Sequence, residues 1–189
     1  MTLIIPFRPH VVDIWLRPWY NSRIEISAGD FMDRDFFDKE LDRLLTQAES
    51  LIPDEDMPDL PFISIAPDVR DWHTFEMQLW DVGEEIRQLI CDGKKALTKD
   101  QVGRIINICL NEKGKRGRQS FVLLLGKKAY QMYAPALAPL LSSDDVNGHV
   151  IDTLYKMQAG QYADLILPFT DHKITWIRNT AKKYVQKYR

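Results

Sequence analysis

The C-terminal half of the chain repeats one pattern of residues every 30 positions, and this period limits the possible folds more than any other feature. In each copy a dipeptide is followed, three and six positions after its second residue, by residues that suit the buried side of a helix. The copies are Gly117-Arg118 with Phe121 and Leu124, Asn147-Gly148 with Ile151 and Leu154, and Ile177-Arg178 with Ala181 and Tyr184. A period of this length, with two predicted helices per unit, indicates an α-solenoid in which each repeat packs on its neighbours.

Two stretches of this region, YAPALAPLLSS and YADLILPFTDHKITWIRNTAKKY, resemble HEAT-type repeats. In such repeats a first helix bent by proline ends in a polar turn. The second helix then opens on an apolar-arginine pair, with a small residue three positions after the arginine. The matching positions here are Pro135 or Pro139, Asp171, Ile177-Arg178 and Ala181. The resemblance covers residues 98–189 and implies an all-α fold, a short HEAT-like α-solenoid of helix pairs.

The preceding region, residues 28–97, is predicted to be helical and acidic. Apolar stripes predict one helix from Asp33 to Ile52 and another over residues 71–91, with a proline-rich linker between them. The first 27 residues consist of short β-branched or alternating segments, which predict a small extended or β N-terminal element at 1–27. We expect residues 1–189 to form a single domain.

The distribution of apolar residues and cysteines predicts a cytoplasmic protein. No apolar run approaches the ~20 residues that a membrane-spanning helix needs, and the first residues lack a basic stretch ahead of an apolar one. Cys91 and Cys109 fall inside apolar helical patterns without metal-ligand spacing. They are predicted to be free, buried thiols in a reducing compartment.

No arrangement of residues typical of catalysis is present in the sequence. None of the four histidines has a second histidine or cysteine at ligand spacing, and neither a glycine-rich phosphate loop nor a Gly-x-Ser-x-Gly elbow occurs. Neighbouring carboxylates such as Glu84-Glu85 diverge by about 100° on a helix and cannot share one proton. We expect no enzymatic activity, no cofactor and no metal site.

The segment KGKRGR carries the strongest signal for nucleic-acid binding. Lys113, Lys115, Arg116 and Arg118 place four charges on one turn that could contact phosphates, and Trp176 with the terminal lysines could complete a groove. Some HEAT-like proteins bind DNA in this way, including a family of alkylpurine DNA glycosylases. Nucleic-acid binding, including a glycosylase-like role, is one alternative function, and a solenoid scaffold or adaptor is another.

The acidic residues form the rival signal, because residues 28–92 contain 18 acidic and five basic residues and carry a net charge of −13. Such a surface either keeps the protein soluble or attracts a basic protein. In its size, its predicted stack of helices and its acidic surface, the chain resembles small cytosolic immunity proteins. These proteins neutralise toxins in bacterial contact-dependent growth inhibition and related polymorphic systems. Many such toxins are nucleases with basic clefts, so the resemblance implies an antitoxin that binds a cognate toxin domain.

The acidic residues of this region are the predicted contacts to the partner. They lie on the polar sides of the two predicted helices and in the linker between them. The predicted contact residues are Asp33, Asp35, Asp38, Asp42, Asp54, Glu55, Asp56, Glu76, Glu84 and Glu85. The sequence therefore predicts a protein partner and no membrane contact, and it leaves nucleic acid as the less favoured alternative.

Overall fold

The computed structural model of the chain describes residues 32–63 and 66–189. The extended or β element expected at residues 1–27 lies outside these ranges. Helices dominate the described residues, which confirms the all-α class. No helix within these ranges combines the length and the apolar character that crossing a bilayer requires.

Eight α-helices follow one another along the described residues, and 3-10 turns extend several of them. The α-helices are α1 (Arg34–Leu51), α2 (Thr74–Gly93), α3 (Lys99–Leu110), α4 (Gln119–Leu124), α5 (Ala134–Leu137), α6 (Asn147–Met157), α7 (Ala163–Ile166) and α8 (Thr175–Tyr188). The 3-10 segments are Glu112–Arg118 before α4, Lys128–Tyr133 and Ala138–Ser142 around α5, and Gly160–Tyr162 and Leu167–Asp171 around α7. Thr98 and Gln101 form a capping box at the start of α3.

The linker between α1 and α2 contains a short hairpin that the sequence did not predict. Strands β1 (Phe62–Ile63) and β2 (Ala66–Arg70) pair antiparallel, with Phe62 opposite Arg70. The prolines of the linker exclude a helix there, as expected, because proline lacks the N–H that a helix interior uses.

Consecutive helices pack as four pairs. Helix α1 packs on α2, α3 on α4, α6 on the 3-10 turn that follows α5, and α7 on α8. The even-numbered helices also pack on one another in chain order, from α2 through α4 and α6 to α8. The sequence left open which helix would pair with the one predicted over 71–91, and the structure shows that it is α1.

The apolar stripes predicted for α1 and α2 face the interior. Both stripes supply core residues at helical spacing. The buried apolar residues are Phe37, Leu41, Leu44, Leu45 and Ala48 on α1, and Leu79, Val82, Ile86, Leu89 and Ile90 on α2. Trp72 and Phe75, which continue the spacing of the α2 stripe toward its N-terminus, are only half-buried.

The 30-residue register also corresponds to positions in the core. The six apolar or small positions of the three copies are all buried: Phe121, Leu124, Ile151, Leu154, Ala181 and Tyr184. They lie on α4, α6 and α8, which pack on one another in that order. The repeat in the sequence therefore reflects equivalent core positions in successive even-numbered helices.

The two arginines of the register have the same local role. Arg118 donates to the backbone oxygens of Lys115 (2.8 Å) and Cys109 (3.0 Å). Arg178, 60 positions later, donates to the backbone oxygen of His172 at 2.7 Å. Carbonyls at the ends of helices lack partners within the helix. Each arginine satisfies such carbonyls in the segments that precede its own helix, and for Arg118 these include the end of α3.

The two cysteines differ, so the prediction that both are buried is wrong for one of them. Cys109 is buried on α3, and burial raises the pKa of its thiol to about 12. Cys91 lies on the exposed side of α2. The sequence pattern places Cys91 near the apolar stripe, but it does not show whether a residue lies at the exposed edge of the stripe or at its buried centre.

Candidate protein-binding surface

Two of the predicted contact residues on α1 connect that helix to α3. The carboxylate of Asp38 accepts hydrogen bonds from Arg34 (2.7 Å) and from the side-chain amide of Gln101 (2.8 Å), and these bonds lower its pKa. Asp42 pairs with Arg104, which reaches across from α3. These carboxylates therefore stabilise the contact between helices, and they are not free for a partner in the way that the sequence predicted.

Five of the ten predicted contact residues form no salt bridge and no side-chain hydrogen bond with any residue in the described ranges. We call them the free acidic residues: Asp33, Asp35, Asp54, Glu55 and Glu85. All five are exposed. Asp33 and Asp35 lie at the start of α1, and Asp54 and Glu55 lie just beyond its end. The 18 residues of α1 span about 27 Å, so these four charges form two groups at opposite ends of the helix, and Glu85 lies on α2.

Two further predicted contacts are paired but still accessible. Glu84 on α2 forms a salt bridge with Arg87 at 2.8 Å. Asp56 lies 4.0 Å from the ammonium group of Lys115 and remains exposed. Exposed pairs of this kind contribute little to stability, because water and salt screen them.

Glu76 cannot contact a partner, because it is only 1% exposed. One carboxylate oxygen accepts from the backbone N–H of His73 at 2.7 Å, and the other accepts from the backbone N–H of Arg116 at 3.0 Å. The prediction failed because the basic turn at residues 112–118 covers this side of α2. Sequence spacing alone does not show that a second segment packs there.

Arg118 is likewise buried at 1% exposure, so it cannot contact a phosphate. Burial lowers the pKa of its guanidinium group, and the carboxylate of Asp145, 3.8 Å away, opposes that effect. Its hydrogen bonds go to backbone oxygens and to the hydroxyl of Ser143 at 3.2 Å. This residue is part of the core of the repeat.

The other three cations of KGKRGR are engaged by the acidic linker and the start of α2. Lys113 donates to the backbone oxygen of Asp54, and Lys115 forms a salt bridge with Asp59 at 3.1 Å. Arg116 lies 3.5 Å from the carboxylate of Glu76 and donates to the backbone oxygen of Arg70 at 2.8 Å. The turn that the sequence offered as a phosphate site therefore holds the linker against the body of the protein.

We expect no measurable binding of DNA or RNA at physiological salt, because these cations already pair with protein groups. The measurement is a fluorescence-anisotropy titration with labelled duplex and single-stranded oligonucleotides at about 0.15 M salt. Submicromolar affinity for either oligonucleotide would contradict the expectation and return KGKRGR to consideration.

A row of aromatic rings connects α2, α6 and α8, and nothing in the sequence predicted it. We call Trp72, Trp80, His149 and Trp176 the aromatic row. Ring centroids are 6.1 Å apart between Trp72 and Trp80, 6.3 Å between Trp80 and His149, and 5.1 Å between His149 and Trp176. Each contact has an edge-to-face arrangement, which the charge distribution of aromatic rings favours.

The aromatic row is partly exposed, and its one titratable ring, that of His149, is uncharged at pH 7. Trp176 is 45% exposed, and Trp72, Trp80 and His149 are half-buried. Burial lowers the pKa of His149 to about 4, so its ring carries no charge at pH 7. Trp176, which the sequence placed in a possible nucleic-acid groove, is in contact with the ring of His149.

The described residues contain no group of three or more histidine, cysteine, aspartate or glutamate side chains that could hold a metal ion. The candidate functional features are therefore the free acidic residues and the aromatic row, both of them surfaces suited to binding another molecule. Comparison with known proteins adds no further guide, since no family model, curated protein or solved structure matches this chain.

Proposed function

We propose that this chain is a non-catalytic protein-binding module, a short HEAT-like α-solenoid that captures a basic protein through its free acidic residues. The observation that carries the proposal is that five exposed carboxylates, near the two ends of α1 and on α2, form no salt bridge with any described residue. Unpaired surface charges of one sign attract a partner of the opposite sign and accelerate its association.

The packing order supports the solenoid part of the proposal. Successive helix pairs contact their neighbours, and equivalent positions of the 30-residue register fill the core between them. In a solenoid each repeat contacts only adjacent repeats, and the stacked surfaces serve as extended binding faces.

The specific form that we propose is an immunity protein, which binds a cognate toxin domain with a basic, nuclease-type cleft. Size, helical stacking and acidic surface support this form by resemblance. Immunity requires fast capture of the toxin, and electrostatic steering supplies speed that falls as salt screens the charges.

The test reverses the charge of three free acidic residues and leaves unchanged the acidic residues that pair within the protein. The variant Asp35→Lys, Glu55→Lys, Glu85→Lys is expected to associate about tenfold more slowly with the partner at low salt. The partner is first recovered by co-purification with the wild-type protein from the native host, and association is then followed by stopped-flow fluorescence at several salt concentrations. Growth of cells that express the toxin reports on protection.

The matched control carries the same change of charge at three exposed acids outside α1 and α2, Asp100→Lys, Glu112→Lys and Asp171→Lys. Asp35 and Asp100 each lie in the first turn of a helix, so both variants lose a similar interaction with the helix dipole. Equal association rates for the two triple variants would mean that the free acidic residues are only solvated surface.

A further inference from the structure

The aromatic row offers a specific contact that the proposed function does not yet assign. We propose that an arginine side chain of the partner stacks on Trp80, where Asp81 receives its charge. This inference rests on the proposed function in one respect only, that the partner is a basic protein. It assigns a surface on α2 that is separate from the four free acidic residues near the ends of α1 and lies beside the fifth, Glu85.

The row already contains one arginine in the expected position. The guanidinium carbon of Arg116 lies 4.7 Å from the centre of the Trp72 ring, and the same group approaches the carboxylate of Glu76. An arginine that stacks on an indole while a carboxylate accepts its N–H groups combines a cation–π contact with a charge-assisted hydrogen bond. Trp72 is therefore occupied from within the chain.

Trp80 also has carboxylates nearby. Asp81 follows it directly, and Glu84 lies one helical turn further along α2. Glu84 is already paired with Arg87, so Asp81 is the carboxylate that remains for a partner. Among the described residues, no cation lies over Trp80 or Trp176. Asp81 forms no salt bridge within the described ranges, and partial burial together with the charge of Glu84 raises its pKa. A cation that approached Trp80 would offset this repulsion between the two carboxylates.

The other end of the row favours a different contact. Trp176 is followed two turns later on α8 by Lys183, which lies on the same side of the helix and forms no salt bridge with the described residues. A positive charge there disfavours a second arginine. Trp80 is therefore the cation-binding position of the row, and Trp176 contributes apolar area.

The carboxylates also distinguish this surface from a platform for single-stranded nucleic acid. Such platforms combine stacked aromatic rings with a positively charged groove. Near the row, Lys156 is paired with Asp152 at 2.7 Å and Arg87 with Glu84 at 2.8 Å. Phosphates would meet Asp81 and Glu84 beside Trp80, so a basic protein segment is the better fit.

The experiment compares two labelled peptides of equal length and charge, one alternating arginine with glycine and the other alternating lysine with glycine. Both are titrated against the full chain by fluorescence anisotropy at about 0.15 M salt, together with an oligothymidine probe. Because guanidinium stacks on aromatic faces better than ammonium does, we expect the arginine peptide to bind roughly fivefold more tightly. Trp80→Leu should abolish this preference, whereas Trp176→Leu, the same substitution away from the carboxylates, should retain it.

A second pair of variants tests the carboxylate without disturbing packing. Asp81→Asn should weaken the arginine peptide several-fold more than Asp171→Asn, which makes the same change of charge at another exposed site. Far-UV circular dichroism and thermal melting confirm that each variant is folded.

Several outcomes would overturn the proposal. These are equal affinity of the wild type for both peptides, no detectable binding of the arginine peptide, and a preference that survives Trp80→Leu. Tighter binding of oligothymidine than of the arginine peptide, lost on Trp80→Leu, would assign the row to nucleic acid instead. The double variant Asp35→Lys, Glu55→Lys, which omits Glu85 because that residue lies one helical turn from Asp81, should weaken both peptides and leave the ratio unchanged. If it weakens neither while the ratio persists, the free acidic residues fail and the arginine site stands.

Discussion

Ala181→Asp is expected to lower the free energy of unfolding by about 3–5 kcal/mol, because it places a carboxylate without a partner inside the protein. Ala181 is fully buried on α8, at the position of the 30-residue register that Phe121 and Ile151 occupy on α4 and α6. Helix α8 packs on α6 through this side. The loss would therefore fall on the contact that attaches the last helix pair to the rest of the protein.

The pH dependence of this variant separates a buried charge from a simple change in size. Burial raises the pKa of a carboxyl group, so the folded state of the variant would bind a proton more tightly than the unfolded state. Its stability should therefore fall relative to the wild type as the pH rises above about 4, the pKa of an aspartate in an unfolded chain. Urea denaturation at pH 4 and pH 7 measures this difference.

The matched control is Lys183→Asp, which introduces the same side chain at an exposed position two residues later on α8. It should change the free energy of unfolding by about 0.5 kcal/mol or less. If Ala181→Asp unfolded at the same urea concentration as this control, the register would not describe the core, and the equivalence of α4, α6 and α8 would be wrong.

The parts of the fold that the sequence predicted depend on local spacing. The stripe from Phe37 to Ala48 predicts α1, and the capping pair Thr98 and Gln101 predicts the start of α3, because both signals lie within a few turns. The register from Phe121 to Tyr184 succeeded for a related reason. Each repeat meets the same environment, so the same residue types return at the same positions.

The features that the sequence did not predict depend on segments that meet only after folding. Glu76 looks like a surface acid on its own helix, and Arg116 looks like a surface cation on its own turn, yet each neutralises the other. The aromatic row has the same origin, since Trp80 and His149 lie on different helix pairs. A contact between two single residues that are far apart in the chain produces no periodic pattern in the sequence.

The charge total was therefore a poor guide to the binding surface. Of the ten acids predicted to contact a partner, Asp38, Asp42 and Glu76 are used within the protein. The KGKRGR turn, which suggested nucleic-acid binding, contains the residue that pairs with Glu76, namely Arg116. The net charge of a segment indicates a binding surface only after the charges that pair within the protein have been subtracted from it.

The pairing of Glu76 with the KGKRGR turn leads to the second large expected effect. Glu76→Ala should lower the free energy of unfolding by about 3 kcal/mol. The substitution leaves three groups without their acceptor: the backbone N–H groups of His73 and Arg116, and the guanidinium group of Arg116. The guanidinium group also donates to backbone oxygens of the linker and is partly exposed, which places the expected loss at the lower end for a buried pair.

Glu76→Gln distinguishes the charge from the shape. Glutamine keeps one oxygen as an acceptor but presents an NH₂ group to the second backbone N–H, and two donors cannot bond each other. We expect about half of the loss caused by alanine. The control is Glu85→Ala, since Glu85 is an exposed acid on the same helix with no salt bridge among the described residues.

The measurement is urea denaturation of the three variants, combined with a double-mutant cycle between Glu76→Ala and Arg116→Met. A coupling energy of about 1 kcal/mol or more would show that the carboxylate and the guanidinium stabilise the protein together. If Glu76→Ala unfolded at the same urea concentration as Glu85→Ala, the result would contradict the burial of the Glu76 carboxylate. KGKRGR would then be free to bind phosphate, and a duplex-binding assay on the same variant would decide between the two roles.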